Sequence, residues 1–297
     1  MTNSRIAVLG AGLMGHGIAY ALASAGKSVS IWDPEPDVLD GVPRRLEGHE
    51  CALGRAMTGK VTLASSLVEA VDEASIVFEA APEDLALKRA LVDEVHKANP
   101  RTVFATNTSV LRISEIAGGS PAPDYVIGTH WWNPPYLIPI VEVVRGDGTC
   151  DESVNLTCEL LRDVGKTPVE VKKDVPGFIG NRMQFALVRE ALNIVEEGIA
   201  TADAVDKVAR GTFGLRWGAV GPLENSDFIG LDLVKSILDY LSPSLSAAHG
   251  SPAIVNRRVD REEIGAKTGK GLFEWHRGHK ESVEERLLSH LAAAVEL

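Results

Sequence analysis

Cysteine is scarce in this chain: Cys51, Cys150 and Cys158 are the three it has, an odd number without C-x-x-C spacing. That excludes a disulfide framework and fits a reducing cytoplasm. Cations are short as well, 30 Lys and Arg against 41 Asp and Glu for a formal charge of -11, and the densest cationic stretch, Lys267 to Lys270, is broken by glycine. Nucleic acid is therefore not an expected partner, and any anionic substrate must be held by specific local cations. The single apolar run long enough to imitate a signal peptide or membrane span, Ile6 to Ala25, is interrupted by His16 and spaced glycines, so no membrane association is expected. There is no G-x-S-x-G nucleophile elbow to support hydrolysis. Gly54 to Lys60 has the spacing of a phosphate loop, but Val61 stands where Ser or Thr is required. His276 and His279 lack further ordered ligands, so no metal site is expected. Repeats and low-complexity segments are absent too, and 297 residues at 45% hydrophobic and 24% charged suit a soluble protein of two domains.

What is present begins at the N-terminus. Gly10-Ala11-Gly12-Leu13-Met14-Gly15 follows a strand-like run, Arg5 to Leu9, and opens a helix-like run, Met14 to Ala25, while Asp33 ends the next strand, Ser28 to Trp32. The first glycine permits a tight turn, the second lets backbone approach a pyrophosphate, and the third lets helix and strand pack closely. Free N-H groups at the start of the helix face the phosphate charge. Asp33 can accept both ribose hydroxyls of NAD but would repel the 2'-phosphate of NADP, and Trp32, Pro34 and Glu35 offer no compensating cation. NAD is the expected cofactor, with Gly10, Gly12, Leu13, Met14, Gly15 and Asp33 as its binding residues.

Beyond a polar, helix-prone stretch from Glu35 to Lys60, strand candidates recur at Ser75 to Phe78, Val103 to Thr106, Val126 to Thr129, Ile138 to Val144 and Pro168 to Lys172. They alternate with helical segments such as Asp84 to Ala98 and Glu152 to Val164, the pattern of an α/β doubly wound, Rossmann-like sheet. From Val175 strand signals vanish: a helical run from Pro176-Gly177 to Gly198 precedes Asp203 to Arg210, Leu231 to Leu241 and a loop-rich tail at Gly265 to Trp275. The expected domains are therefore 1–174, binding NAD, and 175–297, all helical.

His130 ends a strand candidate, and Glu142 sits inside the apolar run Ile138 to Val144, where an unpaired carboxylate would be costly. The Asn133-Pro134-Pro135 break lets the chain turn back so that the acid meets the imidazole and fixes its tautomer.

These residues lie in segments, Gly128 to Pro135 with Val141 to Val144 and Asp174 to Arg182, that resemble the L-3-hydroxyacyl-CoA dehydrogenase superfamily. Glu79-Ala80-Ala81-Pro82-Glu83-Asp84, Thr106-Asn107-Thr108-Ser109 and Lys267-Thr268-Gly269-Lys270-Gly271 extend the resemblance over nearly the whole chain in the family's order. It implies that His130 takes the hydroxyl proton while hydride leaves the carbinol carbon for NAD, and that Glu142 stabilises the imidazolium. It further implies that Ser109 and Asn181 hydrogen-bond the reacting oxygen or the catalytic histidine. Glu83 and Lys88 would contact the nicotinamide ribose, Asn107 would line that end of the cofactor, and the protein would be a homodimer joined through its helical domain.

For the substrate, Pro34 to Lys60 is shorter than the arm of CoA-thioester members, whose CoA contacts find no match here. Arg216, in Gly211 to Pro222, resembles the arginine of relatives that act on free hydroxy acids or hydroxyl compounds, such as L-gulonate 3-dehydrogenase and carnitine dehydrogenase. The short arm and Asn-Pro-Pro also resemble the pyridine-carboxylate dehydrogenase of vitamin B6 breakdown. A guanidinium could clamp a free carboxylate, or Arg216 could simply fasten a loop through Glu224 or Asp227. The expectation is oxidation of a small, 3-hydroxy acid. A short-chain hydroxyacyl-CoA dehydrogenase and a non-catalytic, crystallin-like NAD-binding protein are the alternatives.

Overall fold

The computed structural model describes residues 5–295. Eight strands among them form one sheet: β1 (Arg5–Leu9), β2 (Ser28–Trp32), β3 (Lys60–Leu63), β4 (Ala74–Glu79), β5 (Val103–Thr106), β6 (Val126–Trp131), β7 (Ile140–Arg145) and β8 (Thr167–Val171). Their order is β3-β2-β1-β4-β5-β6-β7-β8. Neighbours from β3 to β6 run parallel, β7 turns back antiparallel to β6, and β8 follows β7 in parallel.

A parallel sheet must be covered on both faces, and the composition of β1 shows how. Ile6 and Val8 enter one apolar cluster and Ala7 and Leu9 the other, because successive side chains point to opposite faces. Helices supply the covers: α1 (Leu13–Ser24), α2 (Pro36–Asp40), α3 (Val42–Leu53), α4 (Leu67–Val71), α5 (Leu85–Ala98), α6 (Ile113–Ile116) and α7 (Asp151–Asp163). Their starts are fixed by side chains that accept otherwise unpartnered amides, Ser66 from Glu69 N and Asp84 from Leu87 N. The α1 and α3 helices meet through an imidazole pair, His16 Nδ1 lying 3.0 Å from His49 Nε2. Burial, then the neighbouring His49 and Arg45, push His16 down to about 4, and burial also lowers His49.

Two compact units divide the chain, Met1–Arg182 and Met183–Leu297. Residues 175–182, expected to open the helical domain, are held by the first unit: the Ile179 and Gly180 backbone amides donate to Glu142 and the Asn181 side-chain Nδ2 to Ser109 O. The second unit is helical. The α8 helix (Gly180–Glu196) runs into it, followed by α9 (Ala202–Gly211), α10 (Phe213–Trp217), α11 (Pro222–Ile229), α12 (Leu231–Leu241), α13 (Ala253–Asp260) and α14 (His279–Val295).

Local differences from the expected elements are informative. The polar stretch after Asp33 holds α2 and α3 and then delivers β3, a four-residue edge strand, half-buried on alternate positions, that pairs only with β2. The tail at 265–275 carries two isolated bridges, Gly265 to Lys270 and Lys270 to Glu274, before α14. Among the described residues no helix is long and apolar enough to cross a membrane.

Candidate active site

The switch in strand order falls at β1, whose neighbours β2 and β4 lead to opposite edges of the sheet. Ligands of such sheets sit beyond the carboxyl ends of the strands at this point. Here a groove of about 720 Å³ opens, lined by Gly10, Gly12, Leu13, Trp32 and Asp33 among others. Gly10 has a φ of +90°, and a Cβ on it would lie 2.7 Å from the Ala80 carbonyl oxygen, so the turn admits no side chain. Gly12 caps α1 without a side-chain partner for the helix amides, and a Cβ there would meet nothing within 4 Å. That open space next to free amides is what a pyrophosphate requires. Asp33 reaches back to the same loop, accepting the Ala11 amide at 2.7 Å on Oδ2 and its neighbour Glu35 N at 3.0 Å on Oδ1. The residues present therefore fit NAD.

His130 lies near the end of β6, directly opposite Glu142 on β7. Antiparallel pairing places the two side chains together, with His130 Nδ1 2.7 Å from Glu142 Oε2, and both residues are buried. Glu142 Oε1 accepts the Ile179 and Gly180 amides at 2.9 and 3.0 Å. Burial works to raise the Glu142 carboxyl, but the hydrogen bond from His130 and these two amides outweigh it and hold it below the usual carboxylate range. Trp132 and Phe178 pack on the His130 ring, with centroids at 4.7 and 5.8 Å. Since Nδ1 is engaged, Nε2 is the imidazole nitrogen left for other chemistry.

Ser109 sits in the loop after β5 and is pinned through its backbone, its N-H donating to Glu83 Oε1 at 2.9 Å and its carbonyl accepting Asn181 Nδ2 at 2.9 Å. Asn107 ties this loop to the histidine strand: its Oδ1 accepts Trp131 N at 2.9 Å, while its own N-H donates to Glu79 O at 2.7 Å. Glu83 Oε1 also accepts the Thr108 hydroxyl at 2.6 Å and Val110 N at 3.1 Å. Burial raises the Glu83 carboxyl, but the Thr108 hydroxyl, the Lys88 ammonium and the Val110 and Ser109 amides hold it below the usual range.

Lys88 is 1% exposed, and its ammonium lies 2.7 Å from Glu79 Oε1 and 3.6 Å from Glu83 Oε2. Glu79 is the group that sequence reasoning passed over, although it closes the apolar strand Ala-Ser-Ile-Val-Phe-Glu and raises the same question of a partner that singled out Glu142. Arg216 lies on α10 in the second unit, exposed and without an ion pair to Glu224 or Asp227 among the described residues.

A sheet with this switch point, glycine turn and acidic loop tie defines a dinucleotide-binding dehydrogenase domain. The model of the 3-hydroxyacyl-CoA dehydrogenase NAD binding domain matches residues 5–175 and that of the family's C-terminal domain matches 177–275, so the chain belongs to the 3-hydroxyacyl-CoA dehydrogenase family. It is similar to 5-formyl-3-hydroxy-2-methylpyridine 4-carboxylate 5-dehydrogenase of Mesorhizobium japonicum, 33% identical over 90% of this chain and 89% of the relative. L-Carnitine dehydrogenase of Streptomyces griseus is 36% identical over 82% of this chain and 75% of the relative. A probable 3-hydroxybutyryl-CoA dehydrogenase of Bacillus subtilis is 34% identical over 93% and 98%. A crystal structure of a dehydrogenase of the first kind, described as an NAD+ dependent dismutase, superposes with a TM-score of 0.92 at 31% identity, covering 97% of this chain and 96% of the other. The protein is thus an NAD-dependent dehydrogenase acting on a CH-OH group.

Proposed function

We propose that the protein oxidises the secondary alcohol of a small free hydroxy acid, at the 3-position, to the keto acid. The observation that carries this reading is the buried His130–Glu142 pair at 2.7 Å. His130 accepts the hydroxyl proton on Nε2, and Glu142, already ionised and held by two amides, stabilises the imidazolium through Nδ1. Ser109 and Asn181 hydrogen-bond the reacting oxygen or the histidine. NAD, when bound, supplies the acceptor for the hydride that leaves the carbinol carbon. Gly10, Gly12, Leu13, Met14 and Gly15 cradle its pyrophosphate and Asp33 its adenosine ribose, while Glu83, Lys88 and Asn107 shape the nicotinamide end.

Two features favour a free acid over a thioester. The arm after β2 is confined to the short α2 and α3, and the guanidinium of Arg216 has no acidic partner among the described residues, as a carboxylate clamp requires. Similarity to a pyridine-carboxylate and a carnitine dehydrogenase points the same way. The second reading, a short-chain hydroxyacyl-CoA dehydrogenase, draws on the Bacillus subtilis relative. The two share one mechanism and part at the substrate.

The deciding experiment is turnover with NAD on 3-hydroxy acids, carnitine, sugar acids and 3-hydroxybutyryl-CoA, repeated with Arg216→Met. A free acid should win. Losing a charge-assisted contact worth roughly 1.5 to 3 kcal/mol should lower kcat/KM about ten- to two-hundred-fold, chiefly through KM. A thioester turned over far better than every acid, with Arg216→Met indifferent, would hand the site to the second reading. We also propose a homodimer joined through the helical unit, on the apolar surface that Leu223, Phe228 and Tyr240 expose.

A further inference from the structure

Glu79 ends β4 beside the switch point, its backbone in register with Leu9 of β1 and Thr106 of β5. It is fully buried, an unfavourable place for a carboxylate unless every lone pair is met. They are met: Oε1 accepts Ala81 N at 2.7 Å and Lys88 Nζ at 2.7 Å, and Oε2 accepts the Thr106 hydroxyl at 2.5 Å and Lys88 Nζ at 3.0 Å. Lys88 Nζ also lies 3.4 Å from Ala81 O and 3.6 Å from Glu83 Oε2. The ammonium is thus fully committed and 1% exposed, so it has no donor to offer a ligand. Its reach toward the site runs through Glu83, the carboxylate whose Oε1 gathers Thr108 Oγ1, Ser109 N and Val110 N.

We infer that Glu79 is a positioning residue for the dehydrogenation, acting through Lys88 and Glu83 on the loop that carries Ser109. The inference rests on the role proposed above for Ser109. Buried ion pairs stabilise a fold no better than apolar residues of similar shape, so stability alone gives little reason for a Glu-Lys-Glu chain here. Orientation does. Ser109 is gripped by Glu83 at its N-H and by Asn181 at its carbonyl, which leaves its hydroxyl, without a hydrogen bond among the described residues, as the group free to meet substrate. The Glu79 carboxylate sets where Lys88 stands, Lys88 sets where Glu83 stands, and Glu83 sets the loop.

The test uses Glu79→Gln/Lys88→Met, which removes both charges together and keeps the shapes. Ser109→Ala in parallel tests the role of Ser109 itself. Binding of ADP, which carries the pyrophosphate and the adenosine ribose alone and so reads only the glycine turn and Asp33, should stay within about three-fold and the melting temperature near native. kcat should fall by up to about a hundred-fold, the scale of a misplacement of about 1 Å at a reacting centre. Native kcat in the double variant alongside an impaired Ser109→Ala overturns the relay and leaves the role of Ser109 standing; native kcat in Ser109→Ala overturns both. Should the double variant fail to fold, Thr106→Val removes one contact to Glu79 without unpairing a charge. A kcat several-fold lower at unchanged melting temperature then supports the relay, and an unchanged kcat overturns it.

Discussion

The two compact units are built on opposite terms. In the first, two apolar clusters, one on each face of the sheet, bury side chains from β1 to β8 and their covering helices. In the second, Ile254 and Gly271 are the only buried residues among those described, although the unit holds six complete helices. Large apolar side chains face outward instead: Leu223 is 83% exposed, Phe228 86% and Tyr240 89%. A helix turns an apolar face inward only if something covers it, and nothing within this unit covers these. In the proposed homodimer a second copy supplies the cover that the second unit lacks. On the proposed reading, proton transfer belongs to the first unit and self-association to the second.

Removing the imidazole should sharpen that division most. His130→Ala is expected to lower turnover roughly 10²- to 10⁴-fold, while NAD affinity and oligomeric state stay near native. Near-native turnover would sink the proposed mechanism and the assignment of chemistry to the first unit.

Acid should find the first unit through His16. Its folded value of about 4 lies below the ordinary 6.5, so the unfolded chain takes the proton first as pH falls. Stability is complete above 6.5 and lost progressively between 6.5 and about 4, by up to about 3 kcal/mol. His16→Gln should flatten that limb in urea titrations run at pH 7 and pH 4.5. Identical pH dependence in both proteins would show that the α1–α3 imidazole pair does not govern acid stability.

The smallest effect is expected in the second unit and is the one that could break the comparison. On a true monomer surface, Phe228→Asp with Tyr240→Asp would change stability by only about 0.5 kcal/mol each. If a second copy covers them, the pair should shift the protein to monomer at micromolar concentration and lower the melting temperature by several degrees, with NAD affinity unchanged. Sedimentation showing the native protein as monomer at that concentration would end the dimer assignment.

Much of the first unit was legible because its signals are local. The glycine spacing, the acid at the end of β2 and the apolar strands need only neighbours in sequence, and the Asn-Pro-Pro break foretold the reversal that brings Glu142 to His130. The β3 strand escaped because Lys-Val-Thr-Leu is short, lies at the sheet edge and has alternate residues exposed and only half-buried. Glu79 was read as part of a motif without a task, since its partners lie 9 and 27 residues away, on a helix and on the next strand. The α14 helix was missed in a charged segment that shows little amphipathic contrast. The second unit's apolar residues were visible as letters, but which of them face outward is fixed by packing.

One contact in the cofactor groove carries a lesson for inheritance and engineering. Because Asp33 grips the Ala11 amide, the proposed role of the same acid at the adenosine ribose would make the trait of choosing a cofactor and the trait of shaping the phosphate turn share one carboxylate. A lineage drifting toward NADP could not simply discard that acid, since the turn would loosen in the same step. It would have to acquire a neutral hydrogen-bond acceptor for Ala11 before, or together with, a cation for the extra phosphate, and this ordering makes the present preference slow to reverse.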